Sequence, residues 1–380
     1  MDGLTSRADP LHGMIAAVAA NAARHDREGS FPADSLALLH TQGLLALTVP
    51  RAQGGEGAGL ARLVSVVGRV AEGCASTALI LSMQLLHQHA LARSANWAPG
   101  LKATVAEGAV TSGALINALR VEPALGTPAR GGLPDTVARR TAQGWSISGR
   151  KIYSTGAPGL SWMLVWVGTD EPEPRTGMIL VPAHAPGVRI EPTWDHLGLR
   201  GSGSHDVVFE GVVVPYDNVG DLRVPAAWGR PDREQVAGST RAVASLYTGV
   251  ARAARDWLAR FLVERVPSNL GAPLSTLPRM QEAVGAIQAL LLVNERLIAG
   301  AAAEYDAGGG PTATEFGLIK AVASENAILA VQQAVALAGN HALARANPLE
   351  RHLRDVLCAR IHTPQADVTH TVAGRAALAA

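Results

Sequence analysis

Residues 144–156 read GWSISGRKIYSTG, and the fold turns on whether this stretch is a strand or an interrupted helix. Glycines punctuate it at both ends and in the middle, while Trp145, Ile147, Ile152 and Tyr153 are residue types that favour a pleated, half-buried surface. Runs of the same texture follow: MLVWVG (163–168), GMILVP (177–182), GVRIEPTW (187–194) and DVVFEGVVVP (206–215). Turn signals separate them and no helical stretch intervenes, so they predict an antiparallel sheet or barrel. This β zone spans residues 112–225.

Both flanks carry the helical period. In residues 1–111, Met14, Ile15, Val18 and Ala22 share one helical face, and the run from Ser35 to Leu39 heads for a stop at Gly43. The apolar stretch 65–92 fits one or two buried helices. In residues 226–380, three runs (244–266, 277–305 and 312–340) are each long enough for a helical bundle. The third begins with a capping box, Thr312 with Glu315, and stops at Gly339. The fold class is therefore α+β, with an N-terminal α-helical domain, a middle β domain and a C-terminal helical bundle.

Composition narrows the function classes. The 380 residues are 48% hydrophobic and 17% charged with a formal net charge of +1, a balance that recruits neither nucleic acid nor an anionic membrane. Cys74 and Cys358 share no short spacing, so neither a zinc knuckle nor a disulfide framework is expected. The start, MDGLTSRADPLHG, lacks a basic segment followed by an apolar one, and a cytoplasmic location is the expectation. The segment AIQALLLVNERLIAGAAA is broken by Asn294, Glu295 and Arg296 and reads as a buried helix rather than a membrane span.

Most local motifs have a bland explanation. GLRGSGSHD precedes a strand, whereas a dinucleotide fingerprint needs a helix N-terminus after its glycines. Asp195, His196, His205 and Asp206 have no spacing that fixes a common face, so structural hydrogen bonding is expected and no metal. His87 and His89 stand two apart on a helix and point to different faces, so at most one serves a given cleft.

Taken together, five stretches in order resemble the acyl-CoA dehydrogenase superfamily. They are FPADSLALLHTQGLLALTVPRAQGGEGAGL (31–60), RVEPALGT (120–127), GRKIYSTGA (149–157), WDHLGLRGSGSHDVVFEGVVVPYDNV (194–219) and ALAGN with NPLERHLRDV (336–340 and 347–356). The resemblance implies a C-terminal four-helix bundle and a flavin, FAD or alternatively FMN, between the β domain and that bundle. It also implies a homodimer or homotetramer. It assigns Val121, Thr127, Tyr153, Ser154 and Thr155 to the flavin, with Val121 limited to its backbone. Gly339 and Asn340 match a turn that approaches the cofactor of a neighbouring subunit, although His341 and Ala342 depart from the pattern. Arg265 or Gln281 is assigned to the adenosine half, and Arg241 to substrate.

The dehydrogenases of this superfamily use a glutamate to take the substrate's α-proton. Its place after Arg354-Asp355 is held here by Thr363, and the alternative place before Arg241 by Thr240; a hydroxyl takes no proton near neutrality. His362 adjoins the first place, and imidazole, with an ordinary pKa of about 6.5, exchanges protons there. Flavin-dependent monooxygenases of the superfamily carry a histidine in that region. The resemblance thus extends to His362, with His87 or His89 and Ser154, as a catalytic set for oxygen chemistry through a C4a-peroxyflavin. The competing reading makes Glu122 or Asp367 a displaced base in an acyl-CoA dehydrogenase. A third reading is a catalytically silent flavin- or acyl-binding protein. A flavin reductase would serve the first as partner and an electron-transfer flavoprotein the second; the substrate would be a small molecule or an acyl thioester.

Overall fold

The computed structural model describes residues 11–128, 132–228 and 233–379. The expectation of no leader falls on residues 1–10, which lie outside the described residues. Five helices come first: α1 (His12–Glu28), α2 (Ala33–Thr41), α3 (Leu60–Gly73), α4 (Ala75–Arg93) and α5 (Pro99–Thr111). The α1 face predicted to be buried is so, with Ile15, Val18 and Ala22 in the core, and Gly43 follows α2 in the left-handed region at φ 70°. The 65–92 stretch forms parts of two helices, because Cys74 adopts an extended conformation between α3 and α4.

Eight strands follow: β1 (Leu115–Leu119), β2 (Val137–Thr141), β3 (Gly144–Ser154), β4 (Leu160–Thr169), β5 (Thr176–Pro182), β6 (Val188–Glu191), β7 (His205–Val214) and β8 (Val219–Arg223). They form one sheet in the order β6-β7-β3-β2-β4-β5-β8, with β1 also paired to β4. The expected antiparallel pairing holds for most of the sheet, with two departures at β4. Both β1 and β2 run parallel to β4, since the β2–β3 hairpin and the turn after it return the chain in the starting direction. Strand β4 alternates as its period demands. Met163, Val165 and Val167 join the main core, while Leu164, flanked by Trp162, faces a second cluster with Leu91 of α4, Val105 of α5 and Ile116 of β1.

The C-terminal region comprises α6 (Arg233–Glu264), α7 (Pro278–Asp306), α8 (Ala313–Ala338), α9 (Leu349–Leu357) and α10 (Ala366–Leu378). The Thr312–Glu315 capping box forms as expected. Helix α6 is the pillar of the molecule, packing on α3, α4, α7, α8 and α9. The reading of α7 as a buried helix is corrected. Its inner stripe through Ile287, Leu291, Asn294 and Ile298 is covered, but Leu292 and Val293 lie exposed, as do Val322 and Leu329 on α8. Both helices are long and apolar enough to cross a membrane by length and composition alone.

Three polar ties join the regions. Asp306, closing α7, accepts the first N–H groups of α3, from Leu60 and Ala61, at 2.8 Å each, so one carboxylate caps a distant helix. Arg354 of α9 pairs with Asp26 of α1 at 2.6 Å and with Glu350 at 2.8 Å. Asp355 accepts the Leu199 N–H at 2.7 Å, tying α9 to the loop before β7.

Candidate active site

The site is built around the end of β3. Tyr153 is held at φ 57°, in the left-handed region that a bulky side chain enters only at an energetic cost. This turn throws its ring outward, 54% of the residue exposed, to meet Trp194 and His196 edge-on. Trp194 and His196 stack at 3.7 Å, and the indole N–H donates to the Leu199 carbonyl. The next residue, Ser154, is buried, and its hydroxyl finds no hydrogen-bond partner among the described residues. Thr155 shares a hydrogen bond of 3.0 Å with Ser204, which in turn meets Ser202 at 2.8 Å.

Val121 lies against this strand, its carbonyl accepting the Ile152 N–H at 2.9 Å. The turn after it closes through two backbone hydrogen bonds between Glu122 and Gly126, which leads the chain to half-buried Thr127. Beneath the turn, Glu122 meets Lys151 at 2.5 Å with both side chains fully buried, and accepts the N–H groups of Asp135 at 2.7 Å and Thr136 at 3.0 Å. Burial alone would raise this carboxyl; the adjacent ammonium and the N–H donors outweigh it and hold the pKa below its ordinary value. Burial depresses Lys151 to about 8. Glu122 is a structural ion-pair partner with its acceptor sites occupied, which corrects the expectation that it serves as a displaced base. Asp367, the other carboxylate considered, is exposed in the first turn of α10.

Helix α4 supplies His87 to this face. Burial first, then the nearby Arg120 cation, lowers the His87 pKa to about 4 against an opposing hydrogen bond from Asn117. Asn117 also donates to the Thr155 carbonyl at 2.8 Å, so His87, Asn117 and Thr155 form one connected set.

His362 lies in a second set, in the helical region. Its ring centre is 5.8 Å from that of Tyr247 on α6, and Lys320 of α8 grips its carbonyl at 2.6 Å and that of Pro364 at 3.1 Å. The Nε2 atom of His362 and the hydroxyl of fully buried Tyr247 are both buried without a hydrogen-bond partner among the described residues. Burial, aided by Lys320, brings the imidazole to about 4. The expectation that it is poised near 6.5 is thus corrected: burial favours the uncharged imidazole and weakens it as a base near neutral pH. Tyr247 is pushed well above the ordinary phenol value by burial. Among the described residues, no hydrogen bond, ion pair or ring contact joins His362 directly to the Ser154 set.

The remaining assigned residues are dispersed. Arg241 is buried within the bundle, its guanidinium carbon 3.8 Å from the Phe316 ring centre and 4.9 Å from that of Tyr305. Thr240 is buried beside it. Gly339 and Asn340 are exposed at the end of α8, as are Arg265 and Gln281 elsewhere on the bundle surface. Gln281 donates to the Ser275 carbonyl. Asp195, His196, His205 and Asp206 are engaged separately: Asp206 with Arg150 and Thr193, Asp195 with Arg200, His205 with the Trp194 N–H, and His196 in its stack. Arg120, Asn117, Tyr247, Lys320 and the Trp194–His196 pair were not singled out from sequence. Of these only Arg120 carried a signal, an arginine next to the flavin-type turn.

The sequence and the geometry define a flavin-dependent oxidoreductase scaffold. The family patterns described as acyl-CoA dehydrogenase N-terminal, middle and C-terminal domains match residues 13–98, 120–212 and 242–365 respectively. YdbM of Bacillus subtilis, whose name places it among the acyl-CoA dehydrogenases, is 33% identical over 364 residues, covering 93% of this chain and 92% of its own. L-evernosamine nitrososynthase of a Micromonospora species is 30% identical, covering 92% of this chain and 84% of its own. The solved structure of KijD3 with FMN and dTDP-3-amino-2,3,6-trideoxy-4-keto-3-methyl-D-glucose superposes with a TM-score of 0.80 at 27% identity, covering 97% of this chain and 92% of that one. This chain belongs to the acyl-CoA dehydrogenase superfamily.

The superfamily's cofactor is a flavin, FAD or FMN, and the residues here fit one. An unbonded, buried Ser154 hydroxyl, the Tyr153 ring turned outward beside Trp194, and the Val121 backbone offer one hydrogen-bonding group, an aromatic wall and a close main-chain approach for a planar heterocycle.

Proposed function

We propose that this protein is an oxygen-using, monooxygenase-type member of its superfamily acting on a small organic substrate. One observation carries the reading. Where a dehydrogenase would present its glutamate, the chain presents Thr363 and the buried, unbonded Nε2 of His362, while Glu122, one of the two alternative acids, is locked to Lys151. A bound flavin would supply the electron pair and the reactivity towards oxygen. The protein's own part is positioning and proton handling. Ser154 would donate to the ring from the sheet side, and His87, fixed by Asn117, would border it from α4. His362 would take up or release a proton at Nε2 once a bound reactant offsets the burial and the Lys320 charge that lower its pKa.

This reading requires a separate flavin reductase; an electron-transfer flavoprotein would be the partner if the chain were a dehydrogenase. The exposed apolar residues of α7 and α8 support a homo-oligomer, dimer or tetramer, in which the Gly339–Asn340 turn reaches a neighbouring subunit's cofactor. The decisive experiment mixes the reduced holoprotein with isotopically labelled oxygen and, in a separate anaerobic arm, the oxidised holoprotein with acyl-CoAs. Fast reoxidation with label in an organic product is expected. Bleaching of the oxidised flavin by an acyl-CoA would replace this reading with the dehydrogenase one.

A further inference from the structure

Arg120 stands immediately before the cofactor turn and is a cation without a counter-ion. The alternation of β1 puts Ile116 and Ala118 in the second cluster, under Leu91 of α4 and beside Trp162 and Leu164 of β4. Continuing that alternation, Arg120 lies with its guanidinium carbon 5.3 Å from the Trp166 ring centre. Its Nε is buried and hydrogen-bonds to no described residue, and among the described residues no carboxylate forms an ion pair with it. Other partly covered arginines are treated differently: Arg150, Arg175, Arg252 and Arg354 each face a carboxylate. Around Arg120 lie aromatic and imidazole groups and one further cation, Lys151, whose charge is already matched by Glu122. Trp166 packs against Trp228, whose other neighbour Arg223 is paired with Asp221, and α4 contributes His87.

Withdrawing a guanidinium from water without a compensating anion costs folding free energy, and the cost is recovered when a ligand supplies the charge. A guanidinium supported by an aromatic ring keeps a rigid fork of N–H donors, matched to a carboxylate or phosphate. We propose that Arg120 anchors an oxyanion group, carboxylate or phosphate, of the substrate on the α4 side of the flavin face, with Trp166 as its support. This deepens the functional reading and rests on it, because Arg120 adjoins Val121 and neighbours His87, which connects through Asn117 to Thr155. It also sets specificity: a substrate whose buried end is purely aliphatic would leave the cation unpaired.

The test uses the full-length protein and needs neither turnover nor oxygen. Benzoate, inorganic phosphate and neutral benzamide are titrated while tryptophan fluorescence and the His87 imidazole resonances are followed. The wild type should bind benzoate, phosphate or both saturably and benzamide at least tenfold more weakly, with the His87 titration moving to higher pH as the bound anion offsets Arg120. Arg120→Gln and Arg120→Met should each weaken anion binding tenfold or more, whereas Arg139→Gln, altering an exposed arginine paired with Asp170, should not. Equal binding of benzoate and benzamide to the wild type overturns the proposal even if both Arg120 variants misfold. Unchanged anion affinity in a folded Arg120 variant, or no anion binding at all, also overturns it. Because no flavin chemistry enters the measurement, any of these results leaves the oxygen-reactivity reading to be judged by its own experiment.

Discussion

At the scale of single residues, the site is marked by polar atoms that the fold leaves unbonded. A buried group without a partner costs about 1–3 kcal/mol, so Ser154 Oγ on the sheet and, in a separate helical set, His362 Nε2 and Tyr247 OH invite a ligand-dependent role. Replacing His362 by Ala should slow the reaction of the reduced holoprotein with oxygen and substrate by about a hundredfold or more, the range of a lost proton-transfer group. An unchanged rate in stopped flow would remove His362 from the chemistry. Glu122 predicts the opposite pattern. Glu122→Gln strands the buried Lys151 charge and should destabilise by about 3–5 kcal/mol, read as a lower denaturation midpoint. A variant of full stability with abolished turnover would instead restore Glu122 as a base.

At the scale of elements, close backbone approach decides how the helices and the sheet are joined. A Cβ on Gly249 of α6 would fall 2.1 Å from the Gly68 carbonyl oxygen of α3, and neither helix backbone can swing aside as a side chain would. Gly249→Ala should therefore cost about 1–3 kcal/mol or more by overpacking at the N-terminal–C-terminal junction. Chemical denaturation tests this, and a loss below a few tenths would show that the crossing tolerates separation. Gly198 plays the same part between the β domain and α9, since its added Cβ would meet the Arg354 carbonyl at 2.4 Å. Gly198→Ala should break the neighbouring Leu199–Asp355 hydrogen bond and so disturb the segment leading to His362. Hydrogen exchange at the Leu199 amide should rise in that variant.

At the scale of the whole molecule, buried histidines tie stability to pH. His87 and His362 are lowered to about 4 and His352 to about 3, each chiefly by burial. The unfolded chain binds those protons near pH 6.5 and the folded chain does not. Stability is therefore present above about 6.5 and lost as pH falls towards 4, at up to about 1.4 kcal/mol per pH unit for each histidine. Asp355 acts in the opposite direction, because burial raises it to about 6 and favours the folded state as it protonates. Thermal melts between pH 7 and 4 should fall more steeply for the wild type than for His352→Gln, and parallel curves would show that His352 does not titrate across unfolding. The order of helices, sheet and helices, the capping box of α8 and the buried face of α1 were legible in the sequence, because periodicity and capping are local consequences of backbone geometry. So were the flavin-type turn and the lack of a glutamate beside His362. The parallel pairing of β1 and β2 with β4 was not legible, nor was the exposure of α7, because strand direction and helix coverage depend on segments far apart in the chain. The same holds for the site: residue types are written in order along the sequence, but the pairing of Glu122 with Lys151, the lack of an ion pair at Arg120 and the lowered pKa of His362 arise only when distant side chains are taken out of water together.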